Sequence, residues 1–336
     1  MAALGAERYT ELVASTFERY EEKDLVDQVF TRHPTLDIFR DKATSKTGRK
    51  LVFNLEAADN KDTELTDDSG TFNTSVSPEI IGAAEFDWSA PIVTPIRVEW
   101  KKLQMNAGKE QIVDLAKAHI ENAKKSHAKR LVGMLHALAP AVEAGSYLSF
   151  DELVSDSDYD LSDLTRDVGG IDTGGDADHF WQAYRVEHNA HPDHPDYLEV
   201  RKSFRRVRNE LLVRTSNMHE VTHIIAGRKI FEEFEDSFDD KIRYVEFGDG
   251  QTRFRGVYDG DIEVRLDPDC QENRAYFLDE DAVDFSYLNG NFLKVQPAQE
   301  ITGTLDFVTP LASVLAIGTS ERRALAVLER DYDSTE

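Results

Sequence analysis

Residues Asn217 to Phe234 read NMHEVTHIIAGRKIFEEF and place His219, Glu220 and His223 in the spacing H-E-x-x-H. On a helix that spacing sets two imidazoles on one face to hold zinc, with the glutamate as general base on the bound water. The backbone decides whether such a site can form. VTHII is β-branched at four of its five positions, which favours a strand. Four residues of strand span about 13 Å, too far for both imidazoles to reach one zinc at about 2.1 Å without a sharp bend. The longer form H-E-x-x-H-x-x-G-x-x-H fails as well, because Ala226 and Lys229 stand where glycine and histidine are required. Glu232 or Glu233 could act as a third ligand, but glutamates are abundant throughout this chain. The segment is expected to be a strand leading into a helix, with no catalytic residue, metal or cofactor assigned. A zinc metallopeptidase stays as the minor alternative.

Just upstream, Tyr197, Val200, Phe204, Val207 and Leu211 step by three and four, the stripe of an amphipathic helix from about Tyr197 to Thr215. Arg201, Lys202, Arg205, Arg206 and Arg208 crowd its first half. In so acidic a chain this cluster is expected to meet carboxylates, within the chain or on a neighbouring copy. Further upstream, HNAHPDH (His188, His191, His194) reads as a polar loop fixed by Pro192 and Pro195. After Gly227 the chain is mostly strand-like, and Asp249-Gly250 and Asp259-Gly260 are hairpin signals.

The strongest helix lies in NAGKEQIVDLAKAHIENAKKSHAKRLVGMLHALAP, about residues 108–139. Ile112, Ala116, Ile120, Ala123, Leu131, Leu135 and Leu138 recur at helical steps, and Pro140 follows where a helix stops. His127 falls on the apolar face and is expected to be a satisfied core histidine. Before this helix, KLVFNL (Lys50 to Leu55) and the alternation of Ile96, Val98 and Trp100 suggest two strands flanking an acidic, turn-rich excursion. An isolated ribbon of that kind is marginal and usually lies on something else. Residues 1–45, broken at Pro34, read as an arm rather than a core element. Gly169-Gly170 and Gly174-Gly175 sit among aspartates that would repel a phosphate, so they read as a surface loop.

Composition excludes several classes. The 336 residues carry a formal charge of −25, with 64 acidic against 39 basic residues. No net positive field exists for binding a DNA backbone. No apolar run spans a membrane. Cys270 is the lone cysteine, which rules out an intrachain disulfide and a cysteine-based zinc site. Like charges at this density repel at every subunit contact, and salt relieves that repulsion, as in a protein adapted to concentrated salt.

The order of elements resembles the major capsid protein of tailed double-stranded DNA viruses, the Hong Kong 97 type. The resemblance runs through KKLQMNAGKEQIVDLAKAHIE, DELVSD…VGGID…FWQAY, FRGVYDGDIEVRLDPD…RAYFLDEDAVDF and GTLDFVTPLASVLAIGTSERRALAVLE. It implies an α+β fold: an N-terminal arm (1–45), an E-loop β-hairpin with its flanking strand (46–105), and a peripheral domain with a spine helix and glycine-rich loop (106–185). An axial domain (186–296) and a closing peripheral strand with the C-terminus (297–336) complete it. It further implies a non-enzymatic shell subunit forming hexamers and pentamers around DNA, which is contacted without sequence specificity. Met1 at the start suggests a separate scaffolding protein rather than a cleaved segment. A portal and decoration proteins would be further partners, no membrane is involved, and the subunit would assemble in the host cytoplasm and reside in the virion. Some members of this class crosslink lysine to asparagine. Lys61 lies near the E-loop tip, and with Arg201, Arg205 and Arg208 it is an intersubunit candidate. A cellular nanocompartment shell of the same fold is the nearest rival.

Overall fold

The computed structural model describes residues 34–40, 43–56, 81–98, 109–138, 149–154, 168–171, 181–192, 194–237, 245–246, 252–253, 257–300 and 306–332. Its first elements are α1 (Pro34–Arg40), β1 (Thr44–Lys46), β2 (Lys50–Glu56), β3 (Ile81–Asp87), β4 (Ile92–Val98) and the long helix α2 (Lys109–Leu135). A one-turn helix α3 (Phe150–Leu153) precedes β5 (Tyr184–Asn189), α4 (Val200–Arg214), β6 (His223–Ala226) and α5 (Arg228–Asp236). Short strands follow: β7 (Val245–Glu246), β8 (Thr252–Arg253), β9 (Val257–Asp259), β10 (Ile262–Leu266) and β11 (Arg274–Leu278). The last are β12 (Val283–Leu288), β13 (Lys294–Val295), β14 (Gln299–Glu300), β15 (Phe307–Ser313), β16 (Leu315–Thr319) and β17 (Ala326–Asp331).

The second part of the β-branched run, from His223, forms a strand, while Val221 and Thr222 precede it outside any element. β6 lies inside a six-stranded sheet ordered β5-β17-β11-β6-β10-β9, parallel to β10 and antiparallel to β11. Both faces of this sheet are covered, which is why, after His223 and Arg274, IIA and AYFL read as unbroken apolar runs. Pleating divides them between two cores. Ile224, Ala226, Ala275, Phe277, Ala326 and Leu328 join the core under α4 and α5. Ile225, Tyr276 and Val327 join the core on the other face. A register slip of one residue would exchange the two sets.

Between β6 and α5 the chain turns hard against residues 271–274. The amide of Gly227 donates to the Arg274 carbonyl at 2.8 Å, and that of Lys229 to Glu272 at 3.0 Å. A Cβ at Gly227 would stand 1.7 Å from the Gln271 carbonyl oxygen, so this approach admits glycine only. Helix α4 then buries Val200, Phe204, Val207 and Leu211. Phe204 stacks on Phe234 at 4.6 Å and meets Phe277 edge-on at 5.2 Å. Each fully buried ring of this kind contributes about 1.5–3 kcal/mol of transfer free energy.

The other core collects α2, the ribbon of β2 and β3, and the sheet β1-β12-β16. Leu51, Leu55, Ala84 and Phe86 bury one face of the ribbon within its own chain. α1 is not peripheral either: Pro34 opens the helix, where its fixed φ suits the first turn, and Leu36 and Ile38 are buried in this core. The lack of core expected of residues 1–45 and 46–105 does not apply to these described parts. Within these two segments, residues 1–33, 41–42, 57–80 and 99–105 lie outside the described residues. The glycine loop also docks inward. Gly169 has φ +68°, its carbonyl accepts from the Glu85 amide at 2.9 Å, and a Cβ there would lie 3.0 Å from Ala84 Cβ. Gly169→Ala should cost about 1–2 kcal/mol from the left-handed backbone alone, read as a lowered thermal midpoint. An unchanged midpoint would mean the loop does not hold the ribbon.

The C-terminal stretch divides between sheets. β15 pairs along all of β4, with Pro310 opposite Pro95. Neither missing N–H leaves a gap in the ladder. Pro310 sits where β13 gives way to β14, with its carbonyl accepting from Gln296 at 2.8 Å. Pro95 lies on β4, the outer strand of that sheet among the described residues. β16 joins β12, while β17 inserts between β5 and β11 in the six-stranded sheet. The expected boundary at 296/297 does not separate these sheets, because the last strand returns to the sheet of residues 184–278.

Candidate functional site

The H-E-x-x-H residues do not converge. α4 ends at Arg214, and Ser216 (φ 51°) and Asn217 (φ 63°) make a left-handed turn closed by the Asn217 amide on the Leu212 carbonyl at 2.8 Å. His219 follows outside any helix, and its Nδ1 lies 2.6 Å from Asp279 Oδ2. His223 opens β6 and places Nε2 3.3 Å from Glu280 Oε2. Each imidazole has its own carboxylate on the turn after β11, and Glu220 is exposed. The His223 pKa is lowered, first by burial and then by Arg265, against the opposing pull of Glu280. Among the described residues no group of three or more His, Cys, Asp or Glu side chains is placed to hold a metal. Adding Zn2+ should leave the thermal midpoint in place. A site at 100 times its Kd would add about 2.7 kcal/mol, so a saturable rise lost in His219→Ala/His223→Ala would restore the hydrolase reading.

Four other described histidines, His127, His136, His191 and His194, are engaged by neighbours within the fold. His127 is buried between strands, with Nδ1 2.9 Å from Thr94 Oγ1 on β4 and Nε2 2.9 Å from Ser313 Oγ on β15. Burial lowers its pKa to about 4. In HNAHPDH the residues find separate partners. His191 Nε2 meets the Tyr332 carbonyl at 2.9 Å, and His194 Nδ1 accepts from the Asp196 amide at 3.2 Å. His188 is buried, its pKa lowered by burial and by Arg206 and Arg330. Sequence reasoning missed one cluster altogether. Thr35 Oγ1 donates to the buried Asp267, and His136 Nε2 lies 2.9 Å from that hydroxyl. Burial would raise the Asp267 pKa, but His136, Thr35 and the Asp269 amide outweigh it and hold it at about 2. Three ordinary residue types from three distant segments carry no motif, so nothing in the sequence marked this tie between α1, the end of α2 and the loop after β10.

The intersubunit candidates fall in different places. Lys61 lies outside the described residues, as do Gly174 and Gly175. Arg208 turns to its own chain, donating to the Asp259 carbonyl at 2.9 Å and its carboxylate at 3.0 Å across the β9–β10 hairpin. Arg201 is half-buried, whereas Arg205 and Arg206 are exposed on the outer side of α4. Val213, near the end of that face, is 75% exposed, and Met218, beyond the helix end, is 76% exposed. No described helix is long and apolar enough to cross a membrane.

With this architecture in view, the likeness to known structures is one of fold along the whole chain. The capsid asymmetric unit of cyanophage A-1(L) superposes with a TM-score of 0.60 at 12% identity, covering 89% of this chain and 92% of that one. A virus-like particle from Pyrococcus furiosus gives 0.51 at 12% identity, over 96% and 99%. A chain of Mycobacterium phage Adephagia gives 0.54 at 9% identity, over 90% and 91%. No protein-family model and no curated protein matches the sequence. The chain has the mixed α+β fold of phage capsid proteins, consistent with the Hong Kong 97 type that the element order resembles.

Proposed function

We propose that this chain is the major subunit of an icosahedral shell, built from hexamers and pentamers of itself around double-stranded DNA. The observation that carries the reading is the match in fold to a phage capsid subunit over nine-tenths of both chains. In this role the residues before α1 and those between β2 and β3 lie across neighbouring subunits, and Lys61 sits at such a contact. The spine helix stiffens the peripheral domain. A separate scaffolding protein, a portal and decoration proteins join the shell, which is assembled in the host cytoplasm and resides in the virion. The subunit performs no catalytic step. A charge of −25 suits assembly in concentrated salt, where a Debye length of about 3 Å at 1 M screens repulsion between subunits and from DNA. The likeness to a virus-like particle favours a second reading, a nanocompartment shell without a genome.

The test is negative-stain electron microscopy of the purified chain across a salt series, with light scattering alongside. Closed shells, sheets or rings support the shell reading, and nuclease-protected DNA in shells isolated from cells separates capsid from nanocompartment. A homogeneous monomer at every salt concentration, with or without scaffold, sinks both. Assembly equally good at about 0.1 M and about 2 M salt would remove the salt adaptation alone.

A further inference from the structure

Two neighbouring helices carry charge of the wrong sign for their own dipoles. Helix N-termini favour acids and C-termini favour bases, each by about 0.3–1 kcal/mol. α4 has no acid in its first turn but begins Val200-Arg201-Lys202, with Arg205 and Arg206 one turn later. α5 begins Arg228-Lys229 and ends Glu235-Asp236, with no base in its last turn. Part of this charge is compensated inside the chain: Glu199 stands at the N-cap of α4, Arg214 in its last turn has the favourable sign, and Lys229 lies 3.7 Å from Glu272. Lys202 pairs with Glu199 at 3.3 Å and Arg228 with Glu232 at 2.8 Å. Arg205, Arg206, Glu235 and Asp236 make no ion pair among the described residues.

The exposed residues also share faces. Lys202, Arg205, Arg206, Asn209 and Val213 recur at three- and four-residue steps opposite the buried Val200, Phe204, Val207 and Leu211. This face is cationic along its first half and ends in the exposed Val213. On α5, Glu232, Glu235 and Asp236 lie opposite the buried Ile230 and Phe234. Phe204 on Phe234 fixes the two helices against each other, so one rigid unit presents a cationic face beside an acidic one.

We infer that the outer face of α4 docks on the acidic C-terminal end of α5 in a second copy of this chain. The inference rests on the shell reading and adds to it the surfaces and their polarity. A cationic face cannot pair with itself across a two-fold axis. The contact is heterologous, α4 of one copy to α5 of the next, the kind from which rings are built when the rotation between copies closes. In that contact each helix end gains the countercharge that its own dipole denies it. A nucleic acid is the weaker occupant, because the same unit would bring Glu235 and Asp236 toward phosphates. Arg208 and its Asp259 partner remain internal and set the hairpin beside α4 rather than the interface.

The test uses the full chain. Arg205→Glu/Arg206→Glu should raise the protein concentration needed for assembly by at least about tenfold, since like charges opposed across an interface oppose association. Circular dichroism should stay unchanged. Adding Glu235→Lys/Asp236→Lys to that variant reverses both surfaces at once and should restore assembly. If the acidic variant does not fold, Arg205→Gln/Arg206→Gln and Glu235→Gln/Asp236→Gln should impair assembly equally. Unimpaired assembly of the acidic variant overturns the inference and leaves the shell reading standing; if its shells hold less DNA, the face belongs to nucleic acid. Failure of the fourfold variant to recover overturns α5 as the docking surface. A wild type that never assembles sinks the shell reading and this contact together.

Discussion

Asp151→Ala is expected to lower the unfolding free energy by about 3–5 kcal/mol, the cost of leaving a buried charge without its partner. Asp151 is fully buried in α3 and accepts from Arg274 Nη1 of β11. With three neighbours it makes a set of four charges that alternate in sign. Glu329 of β17 lies 3.1 Å from Arg274 Nη2 and 2.8 Å from Arg185 Nη2 on β5, while Arg185 Nη1 lies 3.7 Å from Asp151. The arrangement is neutral only when complete. Without Asp151, Glu329 is left facing both guanidinium groups of this described network, and Arg274 has about 5% of its side chain in water to spread its charge. The whole pair is another matter. Asp151→Leu/Arg274→Met leaves Arg185 with Glu329, still balanced, and removes the desolvation cost of both charges. Urea unfolding of the three proteins decides it. The single variant should lose several kcal/mol and the double variant should stay near wild type. Equal losses in both would mean that packing around α3, rather than charge balance, holds these segments together.

That network also marks how far the sequence could be read. Elements whose signal is local were legible. The spacing of Ile120, Ala123, Leu131 and Leu135 defined α2, and β-branching at Val221, Thr222, Ile224 and Ile225 outweighed a motif that needed a helix. His127 was placed on an apolar face, and it lies there with both ring nitrogens engaged. What was not legible depends on distant pairing. Nothing local says that ALAVLE returns between β5 and β11, since a doubly buried strand looks alike in any sheet. The arm was misjudged for a related reason. Thr35, Leu36 and Ile38 look like a short polar-flanked helix until Asp267 and His136, more than 100 residues away, receive them. The charged α4 face was noticed, but its division into an internal Arg208 and an external Arg205 and Arg206 needed the β9–β10 hairpin to be in place.

Acid should weaken the fold before any carboxylate is protonated, and His127 should carry much of the effect. Its pKa falls from 6.5 in the unfolded chain to about 4 in the fold because burial disfavours the imidazolium. Below pH 6.5 the unfolded chain takes up a proton that the folded chain refuses. Stability is complete above pH 6.5 and drains away as pH falls toward 4, with a limit of about 3 kcal/mol at 1.36 kcal/mol per unit. His188 and His223, also lowered, add loss of the same sign. Asp267 acts in another window: with its folded pKa held at about 2, its stabilisation persists above the ordinary carboxylate value and is lost only as pH falls from 3.8. The consequence is local as well as global. His127 joins α2 to β4 and β15 through Thr94 and Ser313, so its protonation should loosen the long helix from the strand pair. His127→Gln keeps a donor and an acceptor for the two hydroxyls without titrating. Urea unfolding from pH 7 to pH 4.5 should show wild type losing roughly 2–3 kcal/mol more than His127→Gln. If the two proteins lose stability in parallel, the acid sensitivity resides in the other histidines and His127 is only a packing residue.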